Sequence, residues 1–220
     1  MKIVPALLAE TFEGFLRKLR QAESFAEYVQ IDLMDGLFVP TKSFPPERVN
    51  TLDTLLSFEV HLMVQDPLPL ITGLSHPRLK TVVFHLESEG NAHDLISAIR
   101  KRGVSAGMAV KPETGLEEFR DIADEVDALM FLTVDPCCYG NPFRPEVLEK
   151  IAVARRAFPS KHISVDGGVS LENLKDLFDT GVDSVCVGSR IFLDDDPAGN
   201  YRLFLKRVGE LENQRAGSRR

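Results

Sequence analysis

Short apolar stretches alternate with amphipathic ones along almost the whole chain, and few folds accept that pattern. Strands are expected over about 2–8, 28–34, 57–63, 80–86, 105–110 and 126–134, then from Ile163 to Asp166 and from Val185 to Val187. Between them the apolar spacing turns helical. After a Thr11 cap, Phe12, Phe15, Leu16 and Leu19 share one face of a helix ending near Ala22. Further helices are expected over 47–55, after Pro67, over 91–102 with Gly103 as a stop, and over 115–122, 145–158 and 197–211. The strands are apolar on both sides, as parallel strands covered on both faces must be. One strand and one helix recur about eight times, at roughly 25–30 residues per unit, which is the rhythm of a closed (β/α)8 barrel. An open doubly wound sheet is the rival. It fits fewer units into this length, and a dinucleotide-binding one carries G-x-G-x-x-G after its first strand, where this chain reads Leu8-Ala9-Glu10.

The 220 residues suit one barrel, taken as 1–212, with a polar tail over 213–220 expected to be disordered. A formal net charge of −7 argues against a general nucleic-acid or anionic-membrane binder, so an anionic substrate must be held by local donors. Three cysteines without metal-type spacing and no signal-peptide core point to a reducing cytoplasm. No apolar run approaches the roughly 20 residues of a membrane span.

In such a barrel the polar residues at strand C-termini converge on one mouth. Those residues are Asp32, His61, His85, Lys111, Asp135 and Asp166. Asp32, His61 and Asp166 together make an N,O ligand set for Zn²⁺, Fe²⁺ or Mn²⁺. Asp32 and Asp166 alone could instead pass a proton across a substrate carbon, one from each face. The plainer alternatives are specific. Asp32 could cap a turn, although Asp35 is better placed for that; His61 and His85 could be hydrogen-bonded core residues; Met34 and Met63 could be ordinary core. At the other end of the chain, Asp166-Gly167-Gly168 and Gly188-Ser189 leave backbone N–H groups uncovered beside the mouth, which favours a phosphorylated ligand.

The segments Lys2-Ile3-Val4-Pro5, Asp32-Leu33-Met34-Asp35-Gly36, Val60-His61-Leu62-Met63, Val165-Asp166-Gly167-Gly168-Val169 and Val187-Gly188-Ser189 stand in the order and spacing of one family. The chain resembles the ribulose-phosphate 3-epimerases, ribulose-phosphate-binding (β/α)8 barrels that interconvert ribulose 5-phosphate and xylulose 5-phosphate. The resemblance implies Asp32 and Asp166 as the acid–base pair, and Asp32, His61 and Asp166 as ligands of a catalytic divalent metal. It implies phosphate binding at Gly140, Gly168, Gly188 and Ser189, and a sulfur-rich lining at Met34 and Met63. A metal-stabilised enediolate, a phosphosugar partner and a homo-oligomer come with the same resemblance.

The chain departs from the family at the same rim. A fourth histidine ligand is replaced by Gln30, a substrate-contacting serine by Ala9, a loop histidine by Leu37, an asparagine by Lys111 and a third methionine by Leu132. The glycine-rich phosphate loop reads Cys137-Cys138-Tyr139-Gly140-Asn141. Three readings follow. The first is an epimerase with fewer metal ligands. The second is an epimerase of another phosphosugar, with Lys111 and Tyr139 as new contacts. The third is a barrel that binds a sugar phosphate without turnover.

Overall fold

The computed structural model describes residues 1–136 and 141–217. Its strands are β1 (Lys2–Leu7), β2 (Tyr28–Met34), β3 (Ser57–Met63), β4 (Leu79–His85), β5 (Ser105–Val110), β6 (Ala128–Leu132), β7 (His162–Asp166) and β8 (Ser184–Val187). They close into a barrel in sequence order, every pair parallel, with β8 returning to β1 through Lys2–Ser184 and Val4–Cys186 pairing. The helices between them are α1 (Phe12–Ala22), α2 (Leu68–Gly73), α3 (Ala92–Lys101), α4 (Leu116–Ala123), α5 (Val147–Ala157), α6 (Leu174–Thr180), α7 (Ser189–Phe192) and α8 (Pro197–Gly217).

Two side-chain sets follow from the period of two along each strand. On β2, Val29, Ile31 and Leu33 point outward and join Phe15 and Leu19 of α1 in the large core between strands and helices. Tyr28, Gln30, Asp32 and Met34 point into the barrel. Its interior is packed by Val4, Ala6, Val83, Ala109, Met130 and Cys186, with Tyr28 against them. A third cluster of Leu8, Met34, Val39 and Met63 lies toward the mouth. Each large side chain removed from water in these clusters stabilises by roughly 1.5–3 kcal/mol. The Thr11 hydroxyl accepts the Gly14 N–H at 3.1 Å at the start of α1, as expected, and Asn91 accepts the His93 N–H at 2.9 Å at the start of α3.

Three expectations need correction. The helix over 47–55 is a shorter 3-10 turn, Pro46–Thr51. Pro46 suits the first turn, but Thr54 is drawn away to the Glu23 carboxylate at 2.7 Å and the chain runs extended into β3. Strand β6 is shorter than 126–134: the Asp127 carboxylate takes the Ala106 N–H at 2.8 Å at its start, and at its end the Thr133 carbonyl accepts the Arg144 N–H at 2.7 Å from the loop before α5. The polar tail is helical as far as Gly217. Gln214, Arg215 and Ala216 are good helix formers, Glu212 pairs with the Met1 amino group at 3.0 Å, and the Arg215 guanidinium lies 5.5 Å from the Phe178 ring centre. Residues 218–220 lie outside the described residues. No helix among the described residues is long and apolar enough to cross a membrane.

Candidate active site at the barrel mouth

The β2–β3 register sets Asp32 beside His61, since the two are paired residues in adjacent parallel strands. Asp166 ends β7, on the far side of the closed barrel. The His61 ring bridges that distance. Its Nδ1 lies 3.3 Å from Asp32 Oδ1 and 3.1 Å from Asp166 Oδ2, and its side chain is fully buried. Among the described residues these three offer a metal-type donor set, with ligand atoms all within 4.8 Å of one another. Asp35, by contrast, is committed to the turn: its carboxylate accepts N–H bonds from Leu37 at 2.8 Å, Phe38 at 2.9 Å and Gln65 at 2.7 Å.

Gln30 completes the cluster. Its Nε2 donates to Asp32 Oδ1 at 2.7 Å and to Asp166 Oδ2 at 2.9 Å, and stands 3.5 Å from His61 Nδ1. Its Oε1 is buried with no hydrogen-bond partner among the described residues. A half turn of the amide exchanges oxygen and nitrogen at little steric cost. With the NH₂ inward, the amide suits two carboxylates; with the oxygen inward, it suits a cation held between them. Two carboxylates, one imidazole nitrogen and one adaptable amide therefore fit a divalent metal in donor chemistry.

The electrostatics follow from burial. Burial pushes Asp32 above the usual carboxylate range; hydrogen bonds from His61 and Gln30 oppose this, and the charge of Asp166 adds to it. Burial alone would lower His61, but hydrogen bonds and charges from Asp166 and Asp32 outweigh it and raise the imidazole to about 10. Below the triad, His85 Nε2 lies 2.9 Å from His61 Nε2, and His85 Nδ1 lies 3.2 Å from Glu87. Burial is the main cause that takes His85 down to about 4. Burial works against ionising Glu87, yet hydrogen bonds from His85, Thr114 and the Lys111 N–H hold it down to about 2.

A cleft opens over these groups, lined on one side by Asp32, Met34 and Met63 and on the other by Asp166, Gly168 and Ser189. Gly167 and Gly168 sit at φ +103° and +62°, and a Cβ on either would press on Val134, so β7 can leave its backbone open here only with glycine. Gly188 and Ser189, where β8 passes into α7, line the same cleft.

Of the six rim candidates, Asp32, His61 and Asp166 converge, with His85 directly behind. Asp135 turns outward to the Arg144 guanidinium at 2.7 Å. The Lys111 ammonium sits over the Phe38 ring, 4.1 Å from its centre, with Phe38 packed on His85. Leu37 is solvent-exposed, while Leu132 lines the cleft. Cys137, Cys138, Tyr139 and the expected phosphate residue Gly140 lie outside the described residues. Sequence reasoning treated Gln30 only as a replaced ligand and missed Glu87. A period-two reading of β2 places Gln30 facing inward one step before Asp32, and the His85-x-Glu87 spacing was visible at the end of β4.

Residues 2–192 match the profile of the ribulose-phosphate 3 epimerase family. The chain belongs to the ribulose-phosphate 3-epimerase family. It is 35% identical over 198 residues to the ribulose-phosphate 3-epimerase of Treponema pallidum, covering 86% of this chain and 90% of that one. It is 29% identical over 220 residues to the cytoplasmic isoform of the enzyme from Oryza sativa subsp. japonica, covering 97% and 96%. The fold is also shared with orotidine 5′-phosphate decarboxylase from Pyrococcus horikoshii, at a TM-score of 0.68 and 16% identity over 94% of this chain and 98% of that one. As a member of this metal-dependent, phosphosugar-binding family, the chain places its Asp–His–Asp cluster where the barrel strands end.

Proposed function

We propose that the chain is a ribulose-phosphate 3-epimerase, inverting C3 of ribulose 5-phosphate by proton transfer between Asp32 and Asp166. The observation that carries this is the pair of carboxylates from distant strands, both held against one buried imidazole at the mouth. One carboxylate takes the proton from C3, the carbon next to the C2 carbonyl. The electron pair left behind delocalises onto the carbonyl oxygen as an enediolate. The other carboxylate then returns a proton to the opposite face of C3, and the electrons fall back to restore the carbonyl. The raised affinity of Asp32 for its proton suits a group that must both hold and release one.

A divalent ion, Zn²⁺, Fe²⁺ or Mn²⁺, held by Asp32, His61 and Asp166 would supply positive charge to the oxygens on which the enediolate charge develops. Gln30 would turn its oxygen toward that ion in place of the family histidine. Gly168, Gly188 and Ser189 would hold the phosphate through their N–H groups and the Ser189 hydroxyl, with Gly140 as a further contact. Met34 and Met63, buried and lining the cleft, would keep water from the reacting carbon. A cytoplasmic setting is supported by the naming of the rice relative. Homo-oligomerisation, implied by the resemblance, is read by light scattering.

The test is turnover of ribulose 5-phosphate by protein stripped with a chelator and reloaded with each metal. Turnover that returns with one of the three ions is expected. Absence of turnover under every loading would remove this reading in favour of a barrel that binds a phosphosugar without converting it.

A further inference from the structure

Glu87 and His85 take no part in the proton transfer described above, yet both are anchored with care. Glu87 Oε1 accepts the Lys111 N–H at 2.8 Å and also the Thr114 hydroxyl. Those donors mark Glu87 as an ionised acceptor with no proton to give. Its Oε2 faces His85 Nδ1 at 3.2 Å, so the proton in that contact belongs to His85 Nδ1. A neutral His85 then has a bare lone pair on Nε2. That atom lies 2.9 Å from His61 Nε2, and two lone pairs cannot sustain such a contact, so His61 Nε2 carries the proton there. The remaining nitrogen of His61, Nδ1, is the one that faces Asp32 and Asp166. Every proton in the line from Thr114 to His61 is thereby assigned by its neighbour.

We propose that Glu87 and His85 are positioning residues that hold His61 in its Nε2–H form, so that Nδ1 is the nitrogen presented to a divalent cation. The inference rests on the reading of Asp32, His61 and Asp166 as metal ligands. A cation held between the two carboxylates would meet the Nδ1 lone pair while the Nε2–H bond to His85 stays in place. Removing the acceptor at His85 would free the ring to place its proton on Nδ1, where it would block the cation. Partners of this kind behind a ligating histidine typically change metal affinity by 10–100-fold.

The experiment uses the full chain and Zn²⁺ as probe. Zinc affinity is measured by chelator competition in the parent protein, His85→Phe, His85→Gln, Glu87→Gln and Asp32→Asn. The His61 tautomer is read by ¹⁵N NMR of histidine-labelled, zinc-loaded protein. In the parent, His61 is expected with its proton on Nε2 and its Nδ1 on zinc. His85→Phe is expected to weaken zinc binding by about 10–100-fold. His85→Gln, whose amide oxygen can still accept the Nε2 proton, is expected to recover most of that loss. Glu87→Gln, which can offer His85 either a donor or an acceptor, should fall between them, and it serves if His85→Phe does not fold. Parent-level zinc affinity in both His85→Phe and Glu87→Gln, with Asp32→Asn losing zinc, would overturn this proposal and leave the metal reading intact. Failure of the parent to bind zinc, iron or manganese would overturn both.

Discussion

The barrel interior holds a carboxylate toward each end, Asp32 buried and Glu59 half-buried, and the two are solved differently. At the mouth, Asp32 shares its charge with His61, Gln30 and the neighbouring Asp166. At the opposite end, Glu59 has the Tyr28 hydroxyl at 3.1 Å and the Cys186 thiol at 3.9 Å, and no cation in contact among the described residues. Burial dominates there and raises Glu59 to about 7. Glu59 and His61 are only one inward step apart on β3, so the same strand passes from a carboxyl held by desolvation to an imidazole held by charge. The larger cavity is also at the Glu59 end, about 720 Å³, and includes Thr81, Met130, Ser164 and Tyr201. Mutually dependent charges converge at the mouth instead, which is the mark of a candidate functional site.

The largest losses are expected at the mouth. Asp32→Asn and Asp166→Asn are each expected to cut kcat by about 10²–10⁴-fold, because a single group on one face cannot both remove and return the proton. Steady-state turnover of ribulose 5-phosphate checks this, with a phosphosugar-binding assay expected to stay within a few fold of the parent.

Changes at Glu59 should leave turnover alone and alter the response of stability to pH. In the fold Glu59 binds its proton up to about 7, whereas in the unfolded chain it releases it near the ordinary value of 4.5. Between those values the folded state holds more protons, so stability falls as pH rises through the window and levels off above it. The loss is on the order of 1–3 kcal/mol. Glu59→Gln is expected to flatten that slope, seen as melting temperatures that no longer fall between pH 5 and pH 7. A slope that persists in the variant would place its origin elsewhere.

Smaller effects are expected from two substitutions, one at each end of the barrel. Gln30→His replaces a neutral amide by an imidazole at the mouth and should tighten divalent-metal binding by roughly tenfold, measured by chelator competition. Tyr28→Phe removes the hydroxyl that donates to Glu59 at 3.1 Å. It should cost about 1 kcal/mol and move the Glu59 transition to higher pH, followed in the same melting series.

The ends differ in how readily a sequence discloses them. Strands Tyr28–Met34, Ser57–Met63 and Ser105–Val110 were legible to the residue, because each is a short, mainly apolar stretch between helical and turn segments. Asp32, His61 and Asp166 were legible because each stands at or near the end of such a stretch, and strand ends of a parallel barrel share one rim. Asp135 looks the same in sequence, yet Arg144 draws it away, a pairing set only when the β6–α5 connection folds back. Gln30 and Glu87 were not legible as actors, because their partners arrive from other strands through register. Gln30 reaches Asp166 across the barrel, and Glu87 gathers Lys111 and Thr114 from beyond β5. Glu59 was invisible for a related reason: its condition depends on what its surroundings lack.

The most direct measurement is proton exchange at C3. Ribulose 5-phosphate is incubated in D₂O with metal-loaded parent protein, and separately with Asp32→Asn and Asp166→Asn. Deuterium at C3 is then read by NMR in both the recovered substrate and xylulose 5-phosphate. The parent is expected to incorporate deuterium as it forms the epimer, with each variant losing epimer formation. Epimer formed without solvent deuterium, or exchange that continues at the parent rate in both variants, would contradict the assignment of Asp32 and Asp166 as the two faces of the reaction.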